Sequence, residues 1–142
     1  ALEAFKAMLK VENETTLVHE AQWGAGQACL DLEAVEDARG WFDKAVGDDY
    51  AGEAAAKARY GLGLIALLAK QWEKAYEELL KVEAFHGQWP QWVAQALVKA
   101  SRASIEAGQK DRARKDLQRV MARYGTTPAA AEAKKMLAEI GD

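Results

Sequence analysis

The chain has 142 residues, of which 50% are hydrophobic and 29% are charged, a balance typical of globular proteins rather than disordered chains. It holds only two prolines, and its β-branched residues are few and scattered, which favours an almost wholly helical protein. Its longest apolar run, Gly61 to Ala69, is far shorter than the roughly 20 residues of a membrane-spanning helix, so no direct membrane insertion is expected.

The apolar periodicity predicts eight helices in chain order. They are expected over residues 1–11, 16–32, 34–47, 53–69, 71–84, 91–107, 110–123 and 128–140. Tight turns are predicted inside the helix pairs at Leu32-Glu33, Lys70-Gln71 and Gly108-Gln109, with Gly108 as a left-handed C-cap. Pro90 is predicted to open its helix, and Thr127 is predicted to cap a helix that has Pro128 in its first turn.

The same residue types recur along the chain at intervals of 37 or 38 residues. Three such series are Phe5, Phe42, Leu79 and Leu117; Ala1, Ala38, Ala75 and Ala113; and Ala21, Ala58, Ala96 and Ala133. A fourth series of small residues, Gly26, Gly63 and Ser101, always lies 12 residues before a member of the second. Four position series in one register indicate a chain built from repeated units.

The size of these residues suggests how the units pack. Small side chains are expected where the two helices of a hairpin cross closely, and the large members of the first series then fill the space against the neighbouring pair. No single hairpin can bury both of its faces, so the hairpins must stack. The sequence therefore predicts an all-α solenoid of antiparallel helix hairpins.

The pattern of a small residue, an alanine 12 residues later and a large apolar residue 4 positions further resembles the tetratricopeptide repeat. The resemblance covers essentially the whole chain and implies a right-handed α-solenoid of about three and a half repeats. It implies a single domain, expected to be a fragment of a longer chain and divided into a second-helix remnant (1–12), three repeats (16–50, 51–87 and 88–125) and a terminal capping helix (126–142). In each repeat the first helix is called helix A and the second helix B.

The sequence departs from the family pattern in two respects. The family's usual period is about 34 residues, and Gln22, Arg59 and Leu97 stand where the family has a tryptophan near the start of helix A. The longer period and the segment RYGTTPAAAEAKKML are similar to repeats of bacterial cell-envelope proteins. This resemblance favours a periplasmic or envelope-associated location over a cytoplasmic one.

In this family the A helices line a concave groove, which implies a protein–protein interaction scaffold that binds a protein or peptide partner there. The A-helix positions predicted to face the groove include Glu20, Leu30, Leu67, Gln95 and Ile105. The residues predicted to contact the partner are Trp23, Gln27, Lys57, Tyr60, Leu64, Val98 and Arg102. Aromatic side chains are favoured as binding hot spots, although the same residues could equally pack between helices.

Aromatic residues also cluster in the segment HGQWPQW, which holds His86, Trp89 and Trp92. Two interpretations stay open at this point. The tryptophans could form an exposed contact patch, or they could fold back to cover the gap that the longer repeat opens. Trp41 and Trp72 lie on helix B faces, where a structural role is expected.

The sequence offers little for catalysis. His19 and His86 lie on different elements without a nucleophile at a fixed spacing, and Cys29 occupies a position typical of a core thiol. We therefore expect no enzymatic activity, no catalytic residue, no metal site and no cofactor.

Charge is uneven along the chain, whose net charge is −3. Residues 1–56 hold 4 Lys/Arg and 12 Asp/Glu, whereas residues 93–142 hold 10 and 6. Asp111 and Asp116 interrupt the basic run of 110–123, and the net charge is negative, so no nucleic-acid binding is expected. The alternative to a partner-binding groove is a structural spacer or self-assembly module, in which the acidic and basic ends meet head to tail.

Overall fold

The computed structural model describes residues 2–47 and 52–141, and within them it contains seven α-helices. These are α1 (Leu2–Asp31), α2 (Val35–Val46), α3 (Glu53–Leu68), α4 (Trp72–Phe85), α5 (Pro90–Glu106), α6 (Lys110–Arg123) and α7 (Ala129–Ile140). The hairpins are α1–α2, α3–α4 and α5–α6, and α7 closes the stack. The predicted all-α stack of helix hairpins is confirmed.

The predicted break between a helix over 1–11 and a second helix starting at 16 is wrong. Instead, α1 is one helix of 30 residues. No glycine occurs before Gly24 and no proline before Pro90, and the residues between 11 and 16 differ from alanine by only about 0.7 kcal/mol each in helix propensity. Nothing local therefore ends the helix, and Lys10 and Glu14 span the expected break as an i,i+4 pair at 3.9 Å.

The three turns inside the hairpins share one geometry. Glu33, Lys70 and Gly108 all adopt positive φ, at 62°, 58° and 78°. The residue after each donates its backbone N–H to a carbonyl five positions earlier, as Gln71 does to Ala66 at 2.9 Å. A helix that ends on a left-handed residue followed by this hydrogen bond has a Schellman motif. Its presence at Gly108 confirms the predicted left-handed cap there.

The other predicted helix starts have different outcomes. Pro90 opens α5, as predicted. The expected Thr127 cap is wrong, because the Thr127 hydroxyl donates a hydrogen bond to the Tyr124 carbonyl at 2.6 Å and α7 begins after Pro128. The hydroxyl is thus used to tighten the preceding turn rather than to cap the helix.

Large and small residues interlock where the hairpins stack. Phe42 on α2 is fully buried and lies between Gly26 of α1 and Gly61 of α3. A β-carbon at Gly26 would lie 2.5 Å from Phe42 Cε1, and one at Gly63 would lie 2.4 Å from Leu79 Cγ. At the third crossing the Ser101 hydroxyl donates to the Leu97 carbonyl at 2.9 Å, which satisfies this buried side chain.

The two helix layers are spaced differently along the stack. Successive A helices contact one another, since α1 meets α3, α3 meets α5 and α5 meets α7. In contrast, no Cα atoms of α2 and α4, or of α4 and α6, lie within 8 Å of each other in the described chain. The A helices therefore lie on the inner side of the curve, and the B helices spread apart on the outer side.

The glycine contacts lead to a first prediction. Gly26→Ala should lower the free energy of unfolding by about 1–3 kcal/mol, because the rigid Phe42 ring cannot make room for a methyl group without displacing α1 or α2. Gly24→Ala, two residues away in the same helix, meets no atom within 4 Å and should raise it by about 0.5–1 kcal/mol.

Chemical denaturation of both variants tests this packing. Because the two substitutions bring the same gain in helix propensity, the difference between them isolates the contact with Phe42. Equal changes in the two variants would show that the Phe42 contact places no limit on size at Gly26.

Candidate groove on the inner face

The inner face is built from one stripe of side chains on each A helix. On α5 the stripe follows helical spacing through Trp92, Gln95, Lys99, Arg102 and Glu106. The matching positions of the other two A helices are Glu20, Trp23, Gln27 and Leu30 on α1, and Glu53, Lys57, Tyr60, Leu64 and Leu67 on α3. Contacts between neighbouring stripes divide the face into an aromatic half and an apolar half.

The aromatic half lies toward the N-terminal ends of α3 and α5. Lys57 on α3 places its Nζ 3.9 Å from the Trp23 ring centroid and 3.1 Å from Glu20 Oε2, so a cation–π contact and an ion pair join α3 to α1. Its side chain is only 13% exposed. These three residues therefore hold two A helices together as well as lining the face.

Tyr60 and Trp92 join α3 to α5 in the same half. Their ring centroids are 5.7 Å apart, and Trp92 Nε1 donates a hydrogen bond to Glu53 Oε1 at 2.9 Å. Burial raises the pKa of the Tyr60 hydroxyl. Trp92 thus covers the gap between repeats, in agreement with the second interpretation given for the segment HGQWPQW.

The apolar half opens into a first pocket of about 370 Å³. Its apolar wall comes from α1, α3 and the first residue of α4, and its charged wall comes from α5. The lining residues are Leu30, Leu64, Leu67, Leu68, Trp72, Lys99, Arg102 and Glu106. Leu68 is 66% exposed, so a large apolar side chain at the mouth is open to solvent.

A second pocket of about 260 Å³ follows between α5 and α7. Its residues are Arg102, Ile105, Glu106, Lys110, Met136, Glu139 and Ile140. Because Arg102 and Glu106 line both pockets, they form the ridge between them. Arg102 is held in place there by Glu132 of α7, with the Nη2–Oε1 distance at 2.9 Å. We call the two pockets together the apolar groove.

The predicted contact residues fall in different parts of this face. Trp23, Lys57 and Tyr60 belong to the aromatic half, whereas Leu64 and Arg102 line the apolar groove. The Gln27 amide lies between these parts on α1 and donates a hydrogen bond to Asp31 Oδ1 at 3.2 Å.

The assignment of Val98 to the groove is wrong. Val98 is 5% exposed and belongs to the hydrophobic core with Leu97. On α5 the neighbouring residue Lys99 lines the first pocket instead. The helical spacing from Arg102 back to Lys99 was the signal that could have located it.

Sequence reasoning also missed several residues of the apolar groove. Trp72 belongs to helix B, but it follows the tight turn directly and so reaches the end of the inner face. Met136 and Ile140 lie on the capping helix, where no binding role was considered. Leu68 lies four residues after Leu64 on one helix face, which was the available clue.

Two kinds of feature are absent from the described part of the chain, a metal-binding cluster and a membrane-spanning helix. Within residues 2–47 and 52–141, no group of three or more His, Cys, Asp or Glu side chains is arranged to hold a metal ion. None of the helices in that part of the chain is long and apolar enough to cross a membrane. The groove combines apolar surface with the charged side chains of α5, including Arg102 and Glu106 on the ridge between the pockets.

The hairpin stack defines the class of this protein as a helical-repeat solenoid. A family model described as Tetratricopeptide repeat matches residues 1–54. A solved structure, the N-terminal domain of stress-induced protein-1 (STI-1) from C. elegans, matches with a TM-score of 0.74 at 17% sequence identity, over 89% of this chain and 96% of that one. A search of curated proteins finds no match to the chain.

The first 54 of the 142 residues therefore match the tetratricopeptide-repeat family model, and the stack as a whole has the corresponding solenoid fold. Repeats of this kind generally mediate protein–protein interaction and are typically non-enzymatic scaffolds.

His86 makes the stack sensitive to acid. It is 4% exposed, and its Nε2 accepts a hydrogen bond from Arg59 Nε at 3.1 Å. Burial and, to a smaller degree, the Arg59 charge lower its pKa below the ordinary value of 6.5. Because the unfolded chain takes up a proton near pH 6.5 that the folded chain resists, the stability contributed above that pH is lost as the pH falls.

We therefore predict that the free energy of unfolding falls between pH 7 and pH 5, by at most about 1.4 kcal/mol per pH unit from this one group. His86→Gln should flatten that part of the curve. Denaturant unfolding at several pH values checks this, and the difference between the two proteins separates His86 from Asp116, whose raised pKa acts in the opposite direction. Parallel curves for the two proteins would exclude His86 as the source.

Proposed function

We propose that the protein is an interaction scaffold whose apolar groove binds a segment of a partner protein. The segment would be short and would carry two bulky apolar side chains, one for each pocket. The observation that supports this most strongly is the presence of two adjoining pockets, of about 370 and 260 Å³, along the inner face of the A helices.

The spacing of the pockets restricts the conformation of such a segment. The pockets lie in successive gaps between A helices, and packed helices have axes about 8–10 Å apart. A helical segment places residues i and i+7 about 10.5 Å apart on one face, and an extended polyproline-type segment places i and i+3 about 9 Å apart on one face. A flat β-strand fits less well, because its residues i and i+3 point to opposite sides.

The aromatic half of the face would support this binding in a different way. The contacts of Lys57 with Trp23 and of Tyr60 with Trp92 hold α1, α3 and α5 at fixed distances. A groove that is already formed loses little conformational freedom when the partner binds. We therefore propose that Trp23, Gln27, Lys57 and Tyr60 shape the groove and meet the edge of the partner, while Leu64 and Arg102 contact its apolar side chains.

Leu68→Asp is the variant that tests the groove most directly. It puts a charge at the mouth of the first pocket, and the side chain is already 66% exposed, so the fold should be unaffected. We expect a random 12-residue peptide library displayed on phage to yield binders with two bulky apolar residues, and we expect Leu68→Asp to weaken those binders at least about tenfold.

Leu17→Asp is the matched control. Leu17 has the same side chain and an exposure of 67%, but it lies on α1 and lines neither pocket. If the selected peptides bind Leu68→Asp as tightly as the parent, or if they lack paired apolar residues, the result would count against the groove. Circular dichroism of both variants would verify that they are folded.

The structural alternative also has one supporting observation. Every described side chain from Leu2 to Val18 is exposed, including Leu2, Leu17 and Val18 at 66%, 67% and 53%. An apolar helix surface of this kind could associate with another copy, with the acidic N-terminal and basic C-terminal ends adding attraction.

If self-association is the function, molar mass measured by light scattering should rise with protein concentration, and it should fall with added salt and in Leu17→Asp. Leu68→Asp should then leave the molar mass unchanged. A chain that stays monomeric at all concentrations would eliminate this alternative.

A further inference from the structure

The outer side of the stack contains a cleft that the proposed partner-binding function does not use. It lies between the B helices α2 and α4, with α3 as its floor, and has a volume of about 320 Å³. Its lining residues are Arg39, Asp43, Val46, Arg59, Leu62, Lys74, Glu78 and Lys81. We call it the α2–α4 cleft. It holds four cationic and two acidic side chains, an excess of two positive charges.

The repeat provides an internal comparison for this cleft. One repeat later, between α4 and α6, the equivalent residues are Tyr76, Leu80, Glu83, Leu97, Ala100, Arg112, Asp116 and Arg119. Two cations and two carboxylates balance there. The same backbone position in the same fold is therefore neutral in one gap and positively charged in the next.

Side-chain contacts close the α4–α6 gap. Arg112 lies over the Tyr76 ring at 3.7 Å from its centroid and forms two hydrogen bonds to Glu73, at 2.8 and 3.0 Å. Arg119 pairs with Glu83 at 3.2 Å and with Asp116 at 3.3 Å. Each cation in this gap thus has its own acceptor within the protein.

The α2–α4 cleft keeps Glu36 at the position of Glu73 but differs from the α4–α6 gap at two other positions. Arg39 stands at the position of Tyr76, so the cation equivalent to Arg112, which is Lys74, faces another cation instead of an aromatic ring. Val46 stands at the position of Glu83, and Lys81 pairs with Glu78 on its own helix at 3.0 Å rather than with Asp43, the carboxylate that lines the cleft from α2.

Two of the cations, Arg39 and Lys74, are only weakly paired. The Arg39 Nε is buried and has no hydrogen-bond partner among the described residues, and its nearest carboxylate, Glu36, is 3.7 Å away. Lys74 forms no ion pair within residues 2–47 and 52–141. The Arg119 Nε of the α4–α6 gap is also buried without a hydrogen-bond partner, but Arg119 has carboxylates of two residues within 3.3 Å. Arg39 has only the more distant Glu36, and Lys74 is exposed with no ion pair among the described residues, so the cleft keeps positive charge that an anion could neutralise.

We propose that the α2–α4 cleft binds a phosphate-class oxyanion through Arg39 and Lys74. An acceptor with several oxygens and two negative charges would pair with both Arg39 and Lys74. A phosphoryl group at neutral pH carries close to that charge. Arg39 would supply guanidinium donors and Lys74 an ammonium group at the opposite wall, while Glu78 keeps Lys81 oriented. The cleft volume admits either a free phosphate ion or a phosphorylated side chain.

The test is a titration of the isotopically labelled chain followed by NMR at pH 7.5, with ionic strength held constant because salt screens exposed charges. The two probes are inorganic phosphate and N-acetyl-O-phosphoserine amide. We expect saturable shifts around Arg39 and Lys74, and an affinity at least about tenfold lower in the double variant Arg39→Gln/Lys74→Gln. The double variant Lys134→Gln/Lys135→Gln, which removes the same charge from exposed positions on α7, should bind as the parent does.

A second variant keeps the test decisive if the first does not fold. Arg39→Tyr/Lys74→Arg installs the residue pair of the α4–α6 gap, and Glu36 already stands where Glu73 stands there. This variant should fold, close the cleft and lose the affinity for both probes.

The two probes distinguish the source of the ligand. Equal affinity for both would indicate a free anion, and phosphoserine binding at least tenfold more tightly would indicate a phosphorylated protein segment. The proposal is overturned if neither probe saturates, or if the parent and both cleft variants bind alike. It stands apart from the groove, so Leu68→Asp should leave phosphate binding unchanged.

Discussion

The stack depends on one repeated steric fit, a large apolar side chain of helix B against a glycine-sized position on helix A. Phe42 lies between Gly26 and Gly61, and Leu79 lies against Gly63 at distances that leave no room for a β-carbon. Because glycine has no side chain, the A helices can approach their partner helices closely at these positions. The fit also joins consecutive hairpins, because Phe42 contacts glycines of both α1 and α3.

Close packing of the A helices has consequences on both sides of the molecule. On the inner side, neighbouring stripes of side chains touch, as Tyr60 and Trp92 do, and enclose the apolar groove. On the outer side, the B helices are spread apart, and long side chains must bridge the gaps. Between α4 and α6 they do so with paired charges, whereas between α2 and α4 the cations outnumber the carboxylates.

The accuracy of sequence reasoning varied with how local each feature is. The glycine and alanine series located the helix crossings, and the left-handed turn at Gly108 follows from its residue type. Val98 was misassigned because its neighbour Lys99 fits the same helical period within one residue, and only packing in the folded stack decides which of the two is buried. The predicted break in α1 was wrong because none of the residues between 11 and 16 prevents a helix.

The sequence alone determined that this protein is a stack of tetratricopeptide-type hairpins, because side-chain size at repeated positions limits how closely helices can cross. The family resemblance also led to the prediction that the A helices line a partner-binding groove. Only the tertiary structure decided which side chains share a pocket, since Leu30, Leu68, Trp72 and Arg102 come from four helices. The tertiary structure also decided which charges pair across the outer gaps. These contacts join residues that lie about 40 positions apart, such as Glu73 and Arg112.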